Sequence, residues 1–146
     1  MTTTETQARV LVCPCGLGTP PVPTPTPPYT VCCGQFHDGP TQGLAPTAEA
    51  LMRSRYAAFV LARTDYLLAT WHPTTRPATL SAHEPDLKWL GLQVLRHRVD
   101  ADGVNATVEF VARSKVGGRA QRLHEVSRFV REDGRWLYVC AVETGR

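Results

Sequence analysis

Four cysteines near the start of the chain constrain its fold more than any other feature. They form two close pairs, and they are Cys13, Cys15, Cys32 and Cys33. A disulfide within either pair would close a strained small ring. Zinc accepts four thiolates in a tetrahedron, and Gly16 and Gly34 after the two pairs permit tight turns. The pattern predicts one structural zinc ion on these four cysteines, with a disulfide or redox role, or unliganded thiols, as the alternatives.

The chain changes in composition near residue 46. Residues 1–46 hold nine of the 12 prolines and four of the five cysteines, with few residues that could build a core. Residues 47–146 hold all three tryptophans and the periodic apolar segments. We therefore predict a zinc-binding module over 1–46 and a self-sufficient domain over 47–146. Within the module, residues 20–28 are a proline-rich insert, typical of a polyproline II spacer or of a ligand for a proline-recognising groove.

Charge and hydropathy exclude several classes of protein. The formal net charge is +3 and the basic residues of 119–135 are interleaved with acidic ones, so nucleic-acid binding is not expected. No apolar run approaches the roughly 20 residues of a membrane-spanning helix. The polar N-terminus has only a short apolar stretch at 10–12, too short for the core of a secretory signal. We expect a cytoplasmic protein without a membrane partner.

Two helices are predicted after the module. Thr47 can cap a helix that runs to about residue 62, with Glu49 in its first turn. Its apolar stripe comprises Ala48, Leu51, Met52, Tyr56, Phe59 and Val60, and the pattern places Arg53, Arg55 and Arg63 on the polar side. A short second helix is predicted over 65–71, capped by Thr64 or Asp65 and stopped by Pro73.

Four strands follow a loop over 74–86. They are predicted at about 88–99, 104–114, 120–131 and 136–142, separated by turn signals at 100–103, 117–118 and 132–135. Short turns between successive strands make neighbours antiparallel. Helices followed by an antiparallel sheet indicate an α+β fold. A strongly curved sheet wrapped on the helices would form a cone that encloses a cavity.

Two sets of motifs resemble known families. Residues 13–18 (CPCGLG) and 29–33 (YTVCC) resemble the SEC-C zinc knuckle, although Leu17 replaces its usual serine and the gap between the cysteine pairs is longer. Residues 45–56, 65–73, 89–92, 110–113, 125–129 and 133–139 are similar to the YchJ family of uncharacterised bacterial proteins. The resemblance implies a SEC-C-like knuckle joined to a nuclear transport factor 2-like α+β cone, and zinc on the four cysteines.

Several residues are candidates for chemistry in the predicted cavity. The weak catalytic candidates are His72, Glu109, Glu125 and Arg128, and the candidates for lining the pocket are Tyr56, Trp71 and Trp136. His72 could instead cap a helix, and Glu109 could pair across strands with Arg113 or Arg128. His124 and Glu125 are adjacent on a strand, so they face opposite sides and cannot share a site.

The sequence contains no motif typical of nucleotide-dependent enzymes or of serine hydrolases. A closed zinc site without a catalytic motif favours an adaptor that contacts another protein through the knuckle. The alternative is a small-molecule binder or enzyme that uses the cone cavity. Pairing of two copies through the sheet is a further expectation.

Overall fold

The computed structural model describes residues 12–16, 27–39, 41–80 and 85–145. Three helices come first, α1 over Gly34–His37, α2 over Ala48–Val60 and α3 over Thr64–Ala69. The strands β1 (Leu87–Val99), β2 (Asn105–Val116), β3 (Arg119–Glu132) and β4 (Arg135–Gly145) then form one antiparallel meander in the order β1-β2-β3-β4. The predicted α+β class and strand positions are confirmed. Most of the proline-rich insert and part of the loop before β1 lie outside the described residues.

Helix α2 begins as the sequence predicts. The Thr47 hydroxyl accepts a hydrogen bond from the amide of Ala50 at 3.0 Å, which satisfies one of the free donors of the first turn. Helix α3 differs from its prediction, because no side chain caps it and it ends at Ala69. The helix ends before the predicted residue 71 because Trp71 forms a parallel β-bridge to Tyr138 of β4 instead.

Tight turns join the last three strands. Asp133 and Gly134 both have positive φ, 52° and 76°, which is the type I′ geometry that follows the twist of a hairpin. Gly117 and Gly118 have positive φ as well. The register shifts at Trp89/Gly91 and Val94/Arg96 in β1, and at two places between β3 and β4. Such bulges bend strands, so the sheet curves around the helices as the cone requires.

The core lies between α2 and the concave face of the sheet. Leu51, Met52 and Tyr56 of α2 are buried against strand residues that include Phe110 and Phe129. Alternate residues of β2 point into this core, since Ala106, Val108, Phe110 and Ala112 are all buried. In the part of the chain that the structure describes, no helix is long and apolar enough to cross a membrane.

The residues before α2 pack on the opposite side of that helix. We call residues 12–16 and 27–39 the knuckle. Its two segments meet through a bridge between Val12 and Pro28, and a 3-10 turn over Tyr29–Val31 leads into α1. The knuckle thus joins the cone through α2. The boundary predicted at residue 46 stays a prediction.

Candidate metal centre and cone cavity

The knuckle brings the four predicted ligands together. The Sγ atoms of Cys13, Cys15, Cys32 and Cys33 all lie within 4.8 Å of one another, and all four side chains are buried. The Sγ atoms of Cys15 and Cys32 are 3.6 Å apart, whereas a disulfide needs about 2.05 Å. The cysteines are therefore unbridged thiols arranged around a common point.

This arrangement fits a zinc ion. A tetrahedron with Zn–S bonds of about 2.3 Å has sulfur atoms about 3.8 Å apart, close to the 3.6 Å of the Cys15–Cys32 pair. The hydrogen bond with Cys15 is the main cause that lowers the pKa of Cys13, whereas the hydrogen bond with Cys13 is the main cause that raises the pKa of Cys33. Four sulfurs this close cannot all ionise unless a cation balances them. A divalent ion that accepts four thiolates meets that need.

The two glycines that follow the cysteine pairs have different roles. Gly16 has φ of 73°, a left-handed conformation that favours glycine, and its amide donates to the carbonyl oxygen of Cys13 at 3.3 Å, which closes a tight turn over the first cysteine pair. Gly34 opens α1, and a Cβ there would lie 2.7 Å from the carbonyl oxygen of Tyr29. Gly34 is therefore required by a close approach of the backbone rather than by a turn.

Helix α2 holds the knuckle by buried polar contacts. Arg53 donates from Nη1 to the carbonyl oxygen of Cys15 at 3.1 Å. His37, with no exposed surface, lies between Tyr29 Oη, 2.6 Å from Nδ1, and the carbonyl oxygen of Ser54, 2.8 Å from Nε2. Because a carbonyl only accepts, Nε2 carries the proton and Tyr29 donates to Nδ1. Burial lowers the pKa of His37, so the ring is neutral.

His37 was not among the residues predicted from the sequence. A signal for it was available, because His37 lies four residues after Cys33, on the same side of α1. Its depth depends on the packing of the knuckle against α2, which the sequence pattern does not contain.

The second site is the cavity between α2 and the concave face of the sheet. Its volume is about 190 Å³. Lining residues come from α2, from the segment after α3 and from all four strands: Met52, Arg55, Tyr56, Phe59, Trp71, Trp89, Phe110, Ala112, Leu123, Glu125, Ser127, Phe129 and Tyr138. The predicted cavity therefore exists, and its wall contains both aromatic and charged side chains.

Arg55 is the charged residue that the sequence interpretation misplaced. It is only 5% exposed and lies in the cavity wall, not on the polar side of α2. Nη1 donates to Leu67 O and to Thr70 Oγ1, both at 2.8 Å. Its guanidinium carbon lies 5.0 Å from the ring centre of Trp71 and 4.5 Å from that of Tyr138. Burial lowers its pKa to about 10, so Arg55 is a cation at neutral pH.

Three of the predicted candidates lie in the cavity wall. Tyr56, Trp71 and Glu125 all line it. Burial raises the pKa of Tyr56 to about 12, so its phenol stays protonated. Ser127 donates to Glu125 Oε2 at 2.5 Å, and Glu125 shares the concave face with Leu123 and Phe129, as the strand alternation predicts.

The other candidates lie elsewhere. Trp136 is 5% exposed in the hydrophobic core and does not line the cavity, because it lies nearer the β3–β4 turn than Tyr138, the residue of β4 that does line it. His72 is held outside the cavity by Glu132 Oε2 at 2.8 Å and by Thr74.

Glu109 and Arg128 lie on the convex face of the sheet. The expected pairing of Glu109 with Arg113 or Arg128 is wrong, because its carboxylate contacts His124 Nε2 at 2.7 Å. His124 is on the neighbouring strand and on the same face, which places the imidazole within reach. Neither Glu109 nor Arg128 is positioned to act in the cavity.

Comparison with known proteins identifies the family. Residues 47–141 match the family model described as "YchJ, middle NTF2-like domain". The chain belongs to the YchJ family. A UPF0225 protein of Bordetella pertussis is 58% identical over 111 residues, which cover 76% of this chain and 83% of that protein. A UPF0225 protein of Polaromonas naphthalenivorans is 61% identical over 113 residues, covering 77% and 79% of the two chains.

Two solved structures share the fold of this YchJ-family chain. A SEC-C motif containing protein from Psychrobacter arcticus matches with a TM-score of 0.71 and 33% identity, covering 88% of this chain and 80% of its own. The solution structure of a SEC-C motif containing protein from Rhodopseudomonas palustris gives a TM-score of 0.70 at 33% identity, with coverages of 92% and 98%. The resemblances to the YchJ family and to SEC-C motif proteins are both confirmed.

Proposed function

We propose that this protein binds one Zn²⁺ ion through Cys13, Cys15, Cys32 and Cys33, and that the resulting rigid knuckle contacts another protein. The observation that carries the proposal is the set of four buried Sγ atoms within 4.8 Å of one another. A thiolate site needs reduced cysteines, and we accordingly assign the protein to the cytoplasm.

The ion would be structural rather than catalytic. Four protein ligands complete the tetrahedron and leave no position for water or substrate. Zinc binding contributes on the order of 10 kcal/mol in small zinc modules at neutral pH. The knuckle has few apolar residues of its own, so this contribution would fix its two segments against α2.

The outer surface of the knuckle supports a role in protein contact. Val12 is 55% exposed and Val31 is 63% exposed, and both adjoin Pro28, which is also exposed. Val31 also lines a groove of about 200 Å³, whose wall combines the apolar Pro27, Phe36 and Ala50 with the polar Gln35 and Arg53 and with Cys32 and Cys33. Apolar surface of this kind is typical of contact sites.

Metal analysis tests the first half of the proposal. Elemental analysis of the purified full chain should give one zinc per chain, and Cys33→Ser should lower that ratio well below one. Cys140→Ser is the matched control, because Cys140 lies in β4 away from the four ligands, and it should keep the full zinc content. A chain that is folded over the knuckle yet free of zinc contradicts the proposal.

Affinity capture tests the second half. A protein recovered from bacterial lysate with the wild-type chain should be lost with Val31→Ser. It should be retained with Val142→Ser, which makes the same change at a valine that is 51% exposed on the sheet. Equal recovery with all three chains would remove the knuckle as the contact surface.

A further inference from the structure

We propose that the cone cavity binds a small, uncharged ring compound whose polar group both donates and accepts a hydrogen bond, with phenols as the simplest class. This inference concerns the cone alone and is independent of the zinc centre and of the knuckle surface. It is carried by the size of the cavity, by its aromatic wall and by two separated charges within that wall.

Size limits the ligand to about one ring. The cavity volume of about 190 Å³ is smaller than the roughly 300–1,000 Å³ of pockets that take drug-sized molecules. Nucleotides and other large cofactors therefore do not fit. A monocyclic compound with a short substituent does.

The wall favours a flat ring. Seven of the 13 lining residues are aromatic, namely Tyr56, Phe59, Trp71, Trp89, Phe110, Phe129 and Tyr138. Tyr56 and Trp89 meet edge to face, with ring centres 5.5 Å apart, and so do Trp71 and Tyr138 at 5.0 Å. Aromatic rings prefer edge-to-face or offset contacts with a further ring, so an inserted ring gains several such contacts at once.

The charges in the wall are separated. Arg55 and Glu125 both line the cavity, yet within the described part of the chain no carboxylate oxygen lies within 4.0 Å of an Arg55 nitrogen. The two hydrogen bonds of Arg55 both use Nη1. The hydrogen bond from Ser127 engages only one of the Glu125 oxygens. Arg55 can therefore donate, and Glu125 can accept, at least one further hydrogen bond.

These charges define the polar group of the ligand. One cation and one anion balance, so a ligand with a net charge would leave one charge unpaired beside a mostly aromatic wall, at a desolvation cost. A hydroxyl can donate to Glu125 and accept from Arg55. An uncharged ring that carries a hydroxyl therefore complements the whole wall.

Arg55 has a structural role, because its Nη1 hydrogen bonds link α2 to the α3 region, but that role does not require a charged group in the wall of a cavity. A buried arginine without a contacting carboxylate is expensive, and an apolar side chain of similar volume often serves a core as well or better. The contacts of the Arg55 guanidinium with the rings of both Trp71 and Tyr138 hold it in a fixed position in the wall. Such pre-organisation lowers the cost of binding a ligand.

Nuclear magnetic resonance of the tryptophan indole groups provides a direct test on the full chain. The chain has three tryptophans, of which Trp71 and Trp89 line the cavity and Trp136 does not. Titration with phenol should shift the indole N–H signals of Trp71 and Trp89 saturably and leave that of Trp136 in place. Trp→Phe variants assign the three signals. No saturable shift, or equal shifts of all three signals, would overturn the proposal.

Related probes test the ligand class. Benzoate and benzylammonium, which carry a net charge, and toluene, which lacks the hydroxyl, should each bind at least about tenfold more weakly than phenol, the worth of one hydrogen bond to a charged group. Glu125→Gln should weaken phenol binding by a similar factor. Glu109→Gln, the same change on the convex face, should not alter it. Tighter binding of benzoate than of phenol, or an unchanged affinity in Glu125→Gln, contradicts the proposal.

Discussion

At the scale of single residues, Ala62 is a source of backbone strain at the end of α2. Its φ is 57°, and the amides of Ala62 and Arg63 donate to Phe59 O at 3.3 Å and to Ala58 O at 2.8 Å. This is the Schellman motif, whose left-handed position is normally glycine. A left-handed conformation costs a non-glycine residue roughly 1–2 kcal/mol, partly offset by the greater freedom of glycine in the unfolded chain.

Ala62→Gly should therefore stabilise the protein by about 0.5 kcal/mol, or about 1–2 °C in Tm for a chain of this length. Thermal unfolding followed by circular dichroism measures the change. Ala58→Gly makes the same substitution inside α2, where the conformation is helical and the methyl group is buried, and should destabilise by about 1–2 kcal/mol. Equal effects of the two variants would contradict a strain at Ala62.

The burial of Arg55 was only partly predictable from the sequence. Leu51 and Phe59 lie four residues before and after it, so the helical repeat places Arg55 on the apolar stripe. We nevertheless predicted that Arg55 lies on the polar side of α2, because a charged arginine is rarely buried. The surroundings that make its burial tolerable come from the α3 region and from β4, and no local pattern shows that these segments meet at α2.

At the scale of elements, the packing of α1 against α2 depends on His37. His37→Phe would remove both hydrogen bonds of the ring and leave the Ser54 carbonyl and the Tyr29 hydroxyl without this partner. We expect a loss of about 2–3 kcal/mol in the free energy of unfolding. Urea unfolding measures it. Tyr29→Phe removes only the hydroxyl and should lower the free energy of unfolding by about 1 kcal/mol. A larger loss in Tyr29→Phe than in His37→Phe would contradict the central role of His37.

Elements defined by local chemistry were predictable. The Asp133–Gly134 and Gly117–Gly118 turns set the hairpins because few residue pairs tolerate two successive positive φ values. Alternation then placed Glu125 on the concave face and His124 on the convex one. The end of α3 was not predictable, because the bridge from Trp71 to Tyr138 joins segments 67 residues apart in sequence.

At the scale of the whole molecule, α2 belongs to two packed regions at once. Ala57 is buried among the four cysteines, whereas its neighbour Ala58 is buried in the core of the cone. The clustering of the four cysteines could be predicted because two close cysteine pairs are a short-range sequence pattern. The packing of α2 against both the knuckle and the sheet could not be predicted. Composition divides the chain into two parts, but it does not show which surface joins them.

Metal removal should therefore affect more than the knuckle. With zinc bound as proposed, a strong chelator would leave the four clustered sulfurs without the cation that holds them together, and the contacts of Arg53 with Cys15 and of His37 with Ser54 would lose their support. Hydrogen exchange read by mass spectrometry should show lost amide protection over the knuckle and reduced protection in α2.

Protection in β2 and β3 should stay unchanged, because these strands pair with each other over their whole length on the far side of the core. Adding zinc back should restore the original pattern, which separates loss of the ion from irreversible damage. Exchange confined to the knuckle, with α2 fully protected, would show that the two regions are energetically independent. Cooperative loss of the sheet as well would show that the cone cannot fold without its ion.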